Sequence, residues 1–196
     1  MTYDLDTLHN ASCRIRASLL VLFGIFAFIS CSAQAQCVNT TVPSCNVYTS
    51  CFSELCPCKS SPFEYFETYG KKYCEVFFAS SQLSAEGKLW RDSTLRCLQE
   101  EIVRALPPVN DPDSCDCKQM QVTAFDTHVA CYTQASASIC NLPLSDWVQI
   151  ASSSDAIKNL VDQRGRKQML EVAYICASKL SGDVKKEVEK VIKKLR

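Results

Sequence analysis

The spacing of apolar residues along the chain indicates helices rather than strands. Apolar residues recur every three or four positions in several segments, whereas strict alternation of apolar and polar residues is scarce. One such segment begins at Ser84, a favourable N-cap, and ends at Pro107 and Pro108, which cannot continue a helix. This pattern predicts an all-α fold.

The same pattern predicts four further helices. Ser61 and Pro62 form an N-cap and first-turn pair at the start of a helix that runs to about residue 81. Another helix covers residues 115–137, and a short one starts at Ser145 with Asp146. The next has a continuous apolar face: Met169, Val172, Ala173, Cys176 and Leu180. Residues 37–61 are rich in Cys, Ser, Thr and Pro without a clear period, so we expect an irregular segment there.

The N-terminus has the features of a secretory signal peptide. Arg14 and Arg16 precede an apolar run at residues 19–29, and Ala33 and Ala35 supply the small residues of a cleavage site. An uncleaved anchor is the alternative. The sequence therefore predicts a signal peptide at residues 1–35, a disulfide-stapled helical domain at residues 36–180, a basic amphipathic helix at residues 181–196, and a secreted, extracellular product.

The cysteine content agrees with an oxidising compartment. The chain has 14 cysteines, and no pair has the CxxC spacing. Cleavage after Ala35 would leave an even number, as complete pairing requires: Cys37, Cys45, Cys51, Cys56, Cys58, Cys74, Cys97, Cys115, Cys117, Cys131, Cys140 and Cys176. The pairs Cys56/Cys58 and Cys115/Cys117 could form a four-thiolate metal cage. Two parallel disulfides are favoured after secretion, so no metal and no cofactor is expected.

Motifs for catalysis and modification are few. His128 is the single histidine after the signal peptide, and the chain contains no GxSxG, HExxH or P-loop motif. We therefore interpret His128 as a helix-surface or hydrogen-bonded core residue and predict that the protein is not an enzyme. Asn39 lies in a sequon and is the predicted glycosylation site, whereas an unmodified asparagine is the alternative.

The C-terminal segment is the predicted interaction surface. Residues 179–196 hold seven Lys or Arg against three acids. Four apolar residues recur there at heptad a/d spacing: Val184, Val188, Val191 and Leu195. This apolar stripe either packs on the domain or pairs with a second copy. Because the net charge of the whole chain is zero, nucleic acid is not an expected partner.

Two stretches resemble the stanniocalcins, a family of secreted helical glycoproteins. They are YGKKYCEVFFASSQLSAEGKLWRDSTLRCL, at residues 69–98, and FDTHVACYTQASASIC, at residues 125–140. The resemblance implies the bridges Cys37–Cys51, Cys45–Cys74, Cys58–Cys117, Cys97–Cys131 and Cys140–Cys176. Cys56 and Cys115, which the resemblance leaves unassigned, lie two residues from Cys58 and Cys117, so a sixth bridge between them is natural.

The resemblance also implies a function. Stanniocalcins act on calcium and phosphate regulation and inhibit secreted metalloproteinases, so the expectation is a hormone-like regulatory protein that binds an extracellular protein. The alternative is a saposin-type helical module that binds lipid or membrane, which is less favoured. Stanniocalcins dimerise through a late cysteine. Because no cysteine follows Cys176, we expect a monomer or a weak non-covalent homodimer.

Overall fold

The fold is all-α, as the apolar spacing predicts. The computed structural model describes residue 37, residues 42–108, residue 111, residues 114–134, 136–152 and 163–179, and positions 182, 185, 186, 189 and 193. Within these ranges every regular element is helical and no strand occurs. Three predicted features lie outside the described residues: the signal peptide, the sequon at Asn39, and the stripe formed by Val184, Val188, Val191 and Leu195.

Six helices follow one another along the described ranges. Helix α1 is a wide turn, Tyr48–Phe52, that continues into Ser53–Leu55, and α2 combines a wide turn, Phe66–Lys71, with Lys72–Ala79. The longer helices are α3 at Ala85–Ala105 and α4 at Cys117–Thr133. A short 3₁₀ turn, Ile139–Asn141, precedes α5 at Leu144–Ser152, and α6 spans Gln163–Lys179.

The predicted ends of α3 are confirmed. The Ser84 hydroxyl accepts a hydrogen bond from the Gly87 amide at 3.0 Å, which satisfies one of the unpaired amides of the first turn. At the other end Leu106 is extended, as expected for a residue that precedes proline. Local chemistry therefore predicts both boundaries of this helix.

The predicted start of α2 is wrong. Residues 62 and 63 form a turn, residues 64 and 65 are irregular, and the helix begins at Phe66. The Glu64 carboxylate accepts hydrogen bonds from the amides of Glu67 and Thr68, at 2.8 and 2.9 Å, and so caps the helix in place of Ser61. The Ser61 hydroxyl accepts instead from the amide of Phe63, within a turn.

The Cys-rich N-terminal segment is more regular than its composition predicts, because it contains α1. Tyr48 and Phe52 are four residues apart, share one face of α1, and are both buried with their rings edge to face at 5.3 Å. The segment is also tied to α3, since the Gln99 amide donates to the Ser44 carbonyl at 3.0 Å. A single apolar pair among many cysteines is too short a signal to show a helical period.

Two clusters of buried side chains form the core. In the first, α1 and α2 pack against α3 and α4 through residues such as Phe52, Phe66 and Ile102. The second cluster gathers around Trp90 and joins the 3₁₀ turn to α6 through Ile139 and Val172. The Trp90 indole nitrogen donates to a carbonyl of α4, so this large side chain is buried without losing its hydrogen bond.

Six disulfides hold these helices together, with Cα–Cα distances of 4.9 to 5.7 Å. The pairs are Cys37–Cys51, Cys45–Cys74, Cys56–Cys115, Cys58–Cys117, Cys97–Cys131 and Cys140–Cys176. Five of them are those that the resemblance implies, and the sixth joins the two cysteines that it leaves unassigned. The bridges connect the N-terminal segment to α2 and α4, α3 to α4, and the 3₁₀ turn to α6.

A buried carboxylate links α5 to the start of α3. Asp146 is 1% exposed and accepts from the Ser84 amide at 2.9 Å and from the Ser84 hydroxyl. Gly87 lies directly beside it, and a Cβ at that position would collide with the carboxylate. The sequence suggests only that Asp146 begins α5, whereas its side chain caps a helix 62 residues away.

We expect Asp146→Asn to lower the free energy of unfolding by about 2 kcal/mol, because the amide replaces one acceptor by a donor against Ser84. Chemical denaturation of the oxidised protein measures the change. Asp126→Asn, at an exposed position of α4, is the matched control and should leave the midpoint unchanged. Equal midpoints for the two variants would contradict a capping role for Asp146.

Candidate functional site

A cavity of about 150 Å³ lies where the two core clusters meet. Leu95 of the first cluster and Ile139 and Val172 of the second lie on its walls. Most of its surface is apolar, and the polar side chains among its described walls are five tyrosines, His128, Gln168 and the indole of Trp147. We call it the tyrosine cavity, after Tyr48, Tyr65, Tyr69, Tyr73, Tyr132 and His128.

The helical repeat of α2 places three of these tyrosines together. Tyr65, Tyr69 and Tyr73 recur every four residues, so they lie on one face, with ring centroids 5.4 and 4.2 Å apart for successive pairs. Gly70 leaves room for this arrangement. A Cβ there would collide with the Tyr48 ring and lie 3.1 Å from a ring carbon of Tyr65.

Helix α4 supplies the opposite wall. His128 stacks on Phe125, with ring centroids 5.6 Å apart, and meets the rings of Tyr69 and Tyr132 edge to face at 6.1 and 5.5 Å. Tyr69 also contacts Phe125 edge to face at 4.7 Å. The aromatic side chains of α2 and α4 therefore form one continuous packed layer beside the cavity.

The phenol groups around the cavity are strongly desolvated. Burial raises the pKa of Tyr48, Tyr65 and Tyr132 above the ordinary value for tyrosine. For Tyr65 and Tyr132, the neighbouring tyrosines raise the pKa further. These hydroxyls stay protonated at physiological pH, and the surroundings that raise their pKa disfavour any anion in the same place.

His128 lies on the wall of the cavity, with one ring nitrogen hydrogen-bonded to the backbone. The ring is 4% exposed, and Nδ1 lies 3.0 Å from the Phe125 carbonyl oxygen, which can only accept. Nδ1 therefore carries the proton, and the lone pair is on Nε2, the other ring nitrogen. Among the described residues, the hydrogen bond of this ring is the one that Nδ1 makes. Burial lowers the pKa of His128 to about 4, although the backbone of Phe125 and Ala124 partly opposes this shift.

Charged side chains are missing from the described walls of the cavity. No Asp, Glu, Lys or Arg is among the residues that line it. Two cations contact rings of this aromatic layer: the Arg164 guanidinium lies over Phe125, 4.8 Å from the ring centroid, and the Lys72 ammonium lies over Tyr73 at 5.2 Å. The described walls of the tyrosine cavity are therefore apolar, with neutral polar groups.

A second candidate is the group of four cysteines at the start of α4. The sulfur atoms of Cys56, Cys58, Cys115 and Cys117 all lie within 4.8 Å of one another, a spacing that could suit a metal ion. The structure joins them as two disulfides instead. A disulfide sulfur carries no thiolate charge, so this cluster would offer metal ligands only after reduction.

The sequence-derived candidates and the structural site overlap only in part. All twelve predicted cysteines are in bridges. His128, predicted to lie either on a helix surface or in the core with a hydrogen bond, is a buried core residue. Tyr48, Tyr65 and Tyr132 were not predicted as site residues. The spacing of Tyr65, Tyr69 and Tyr73 was an available signal for one wall. Tyr48 and Tyr132 reach the cavity only through tertiary packing.

Comparison with protein-family models, with curated proteins and with solved structures finds no match to this chain. Of the helices in the described residues, none has the length and hydropathy that a membrane span requires.

Proposed function

We propose that this chain is a secreted, non-enzymatic binding protein that acts on an extracellular protein partner. The observation that carries the proposal is the set of six disulfides, which is typical of proteins that fold and work in an oxidising compartment. The sequence resemblance to stanniocalcins supports the same class, with calcium and phosphate regulation or protease inhibition as the roles that follow from it.

The chemistry of the tyrosine cavity supports a non-enzymatic role. A general base needs a nucleophile or a substrate proton within hydrogen-bond reach and a pKa near the working pH. The pKa of His128 is far below neutrality, and among the described residues its ring makes its hydrogen bond to a backbone carbonyl. Tyr132, which contacts the His128 ring edge to face, stays protonated, so the group favours binding over proton transfer.

Helix α5 is the candidate contact surface for the partner. Leu144 and Val148 are 76% and 56% exposed, and their spacing of four residues places them on one outer face. Asp146 holds the same helix against α3 from the inner side. A fixed helix with two exposed apolar side chains is a suitable anchor for a protein partner.

The test combines secretion with partner capture. We expect the full chain, expressed in eukaryotic secretory cells, to reach the medium without free thiols and to cross-link to a discrete extracellular protein. Leu144→Ser with Val148→Ser should weaken binding to that protein by about tenfold or more. The control is Leu89→Ser, because Leu89 is 69% exposed but lies on α3, and this variant should bind normally.

Three outcomes would contradict the proposal. Retention of the chain inside the cell with reduced cysteines would exclude a secreted protein. Equal partner binding by the α5 variant and the Leu89 control would exclude α5 as the contact. Co-sedimentation with vesicles, in the absence of a protein partner, would favour the lipid-binding alternative.

A further inference from the structure

We propose that the tyrosine cavity binds a small uncharged aromatic or alicyclic alcohol, with its ring among the tyrosines and its hydroxyl donating to Nε2 of His128. This binding goes beyond the protein-partner function and does not depend on it, because the cavity lies between the core clusters rather than on the outer face of α5.

The size and the walls of the cavity define the apolar part of the ligand. A space of about 150 Å³ corresponds to a single six-membered ring, since an apolar protein cavity of that volume binds benzene. Tyr65, Tyr69 and Tyr132 present ring faces and edges, which favour an aromatic or compact alicyclic guest over a long flexible chain.

The absence of charge in the described walls defines what the ligand cannot carry. A buried carboxylate or ammonium needs an oppositely charged partner or several hydrogen bonds to repay its desolvation. No lining residue among those described offers such a charge. The ligand is therefore neutral at physiological pH.

The acceptor on His128 defines the polar group of the ligand. Nδ1 is committed to the Phe125 carbonyl, so Nε2 is the ring atom left to receive a proton donor in the cavity. A ligand hydroxyl can donate a hydrogen bond to this acceptor, whereas a hydrocarbon of the same shape cannot. The pKa of about 4 keeps this acceptor neutral and available at physiological pH.

Three probes of nearly equal shape test the proposal on the unmodified oxidised protein. We expect p-cresol to bind with a dissociation constant about tenfold lower than that of toluene, because it adds one hydrogen bond to the same ring. The p-toluate anion should not bind. Titration calorimetry, supported by chemical-shift changes at the cavity residues, measures all three.

A variant tests whether the preference for p-cresol over toluene depends on Nε2. His128→Asn keeps an N–H donor near the Nδ1 position for the Phe125 carbonyl but removes Nε2. We expect p-cresol affinity to fall to the level of toluene, with toluene binding retained. Asp126→Asn, at an exposed position on the same helix, should keep the full preference. Near-ultraviolet circular dichroism checks that each variant is folded.

Several results would overturn the proposal. They are equal binding of p-cresol and toluene, binding of p-toluate, or no binding of any probe up to its solubility limit by the unmodified protein. An unchanged p-cresol preference in folded His128→Asn would also do so. If that variant does not fold, the three-probe series on the unmodified protein decides the matter alone.

Discussion

Replacing Cys97 and Cys131 together by Ala is expected to lower the free energy of unfolding by about 4 kcal/mol, the largest effect predicted for this protein. The bridge closes a loop with a sequence separation of 34 residues and joins α3, of 21 residues, to α4, of 17 residues. Without it, the unfolded chain regains the entropy of that loop, and a typical domain has only 5–15 kcal/mol to lose.

Burial increases the expected loss. The Cys131 side chain is fully buried, so removing its sulfur also removes packing between the helices. Urea denaturation under non-reducing conditions measures the change. Replacing Cys37 and Cys51 by Ala is the control, because a sequence separation of 14 residues gives a smaller entropy change. A midpoint for the Cys97/Cys131 variant at or above that of the control would contradict the prediction.

Helix boundaries set by local chemistry could be predicted from the sequence, and those set by competing local contacts could not. Ser84 and Pro107 fix the ends of α3 because capping and the missing proline amide act within one turn. At α2 both Ser61 and Glu64 are able to cap the helix. Glu64 is the residue that does so, because its carboxylate accepts hydrogen bonds from two backbone amides. Sequence spacing does not reveal which of two adjacent caps is used.

Long-range contacts account for most of what the sequence does not reveal about the site. Asp146 meets Ser84 only because α5 folds back onto α3, and nothing in the residues around Asp146 indicates this. The walls of the tyrosine cavity also come together through long-range contacts. The repeat of Tyr65, Tyr69 and Tyr73 indicates one aromatic face, but its pairing with His128 and Tyr132 depends on how α2 packs against α4.

Acidification from pH 7 to pH 4 is expected to remove up to about 3 kcal/mol of stability through His128 alone. In the folded protein, burial lowers the pKa of this ring to about 4, whereas in the unfolded chain it is near 6.5. Between these two values the unfolded state binds more protons than the folded state. The contribution is therefore complete above pH 6.5 and is lost as the pH falls towards 4.

The groups that face His128 do not compensate for this loss. Tyr69 and Tyr132 contact the ring edge to face, and Tyr132, whose pKa is raised by burial, stays protonated across the whole range. Arg164 lies over Phe125, the ring on which His128 stacks, and its permanent charge can only disfavour a second cation nearby. An imidazolium would therefore be buried without a carboxylate among the described side chains around it.

The measurement compares unfolding free energies of the unmodified protein and His128→Asn at several pH values from 7 to 4, in non-reducing urea. Carboxylates elsewhere titrate in both proteins, so their effects cancel in the difference between the two free energies. Because Asn does not titrate, we expect that difference to fall by up to about 3 kcal/mol as the pH decreases, in favour of the variant. A difference that stays constant with pH would show that the folded protein accepts the proton on His128 as readily as the unfolded chain does.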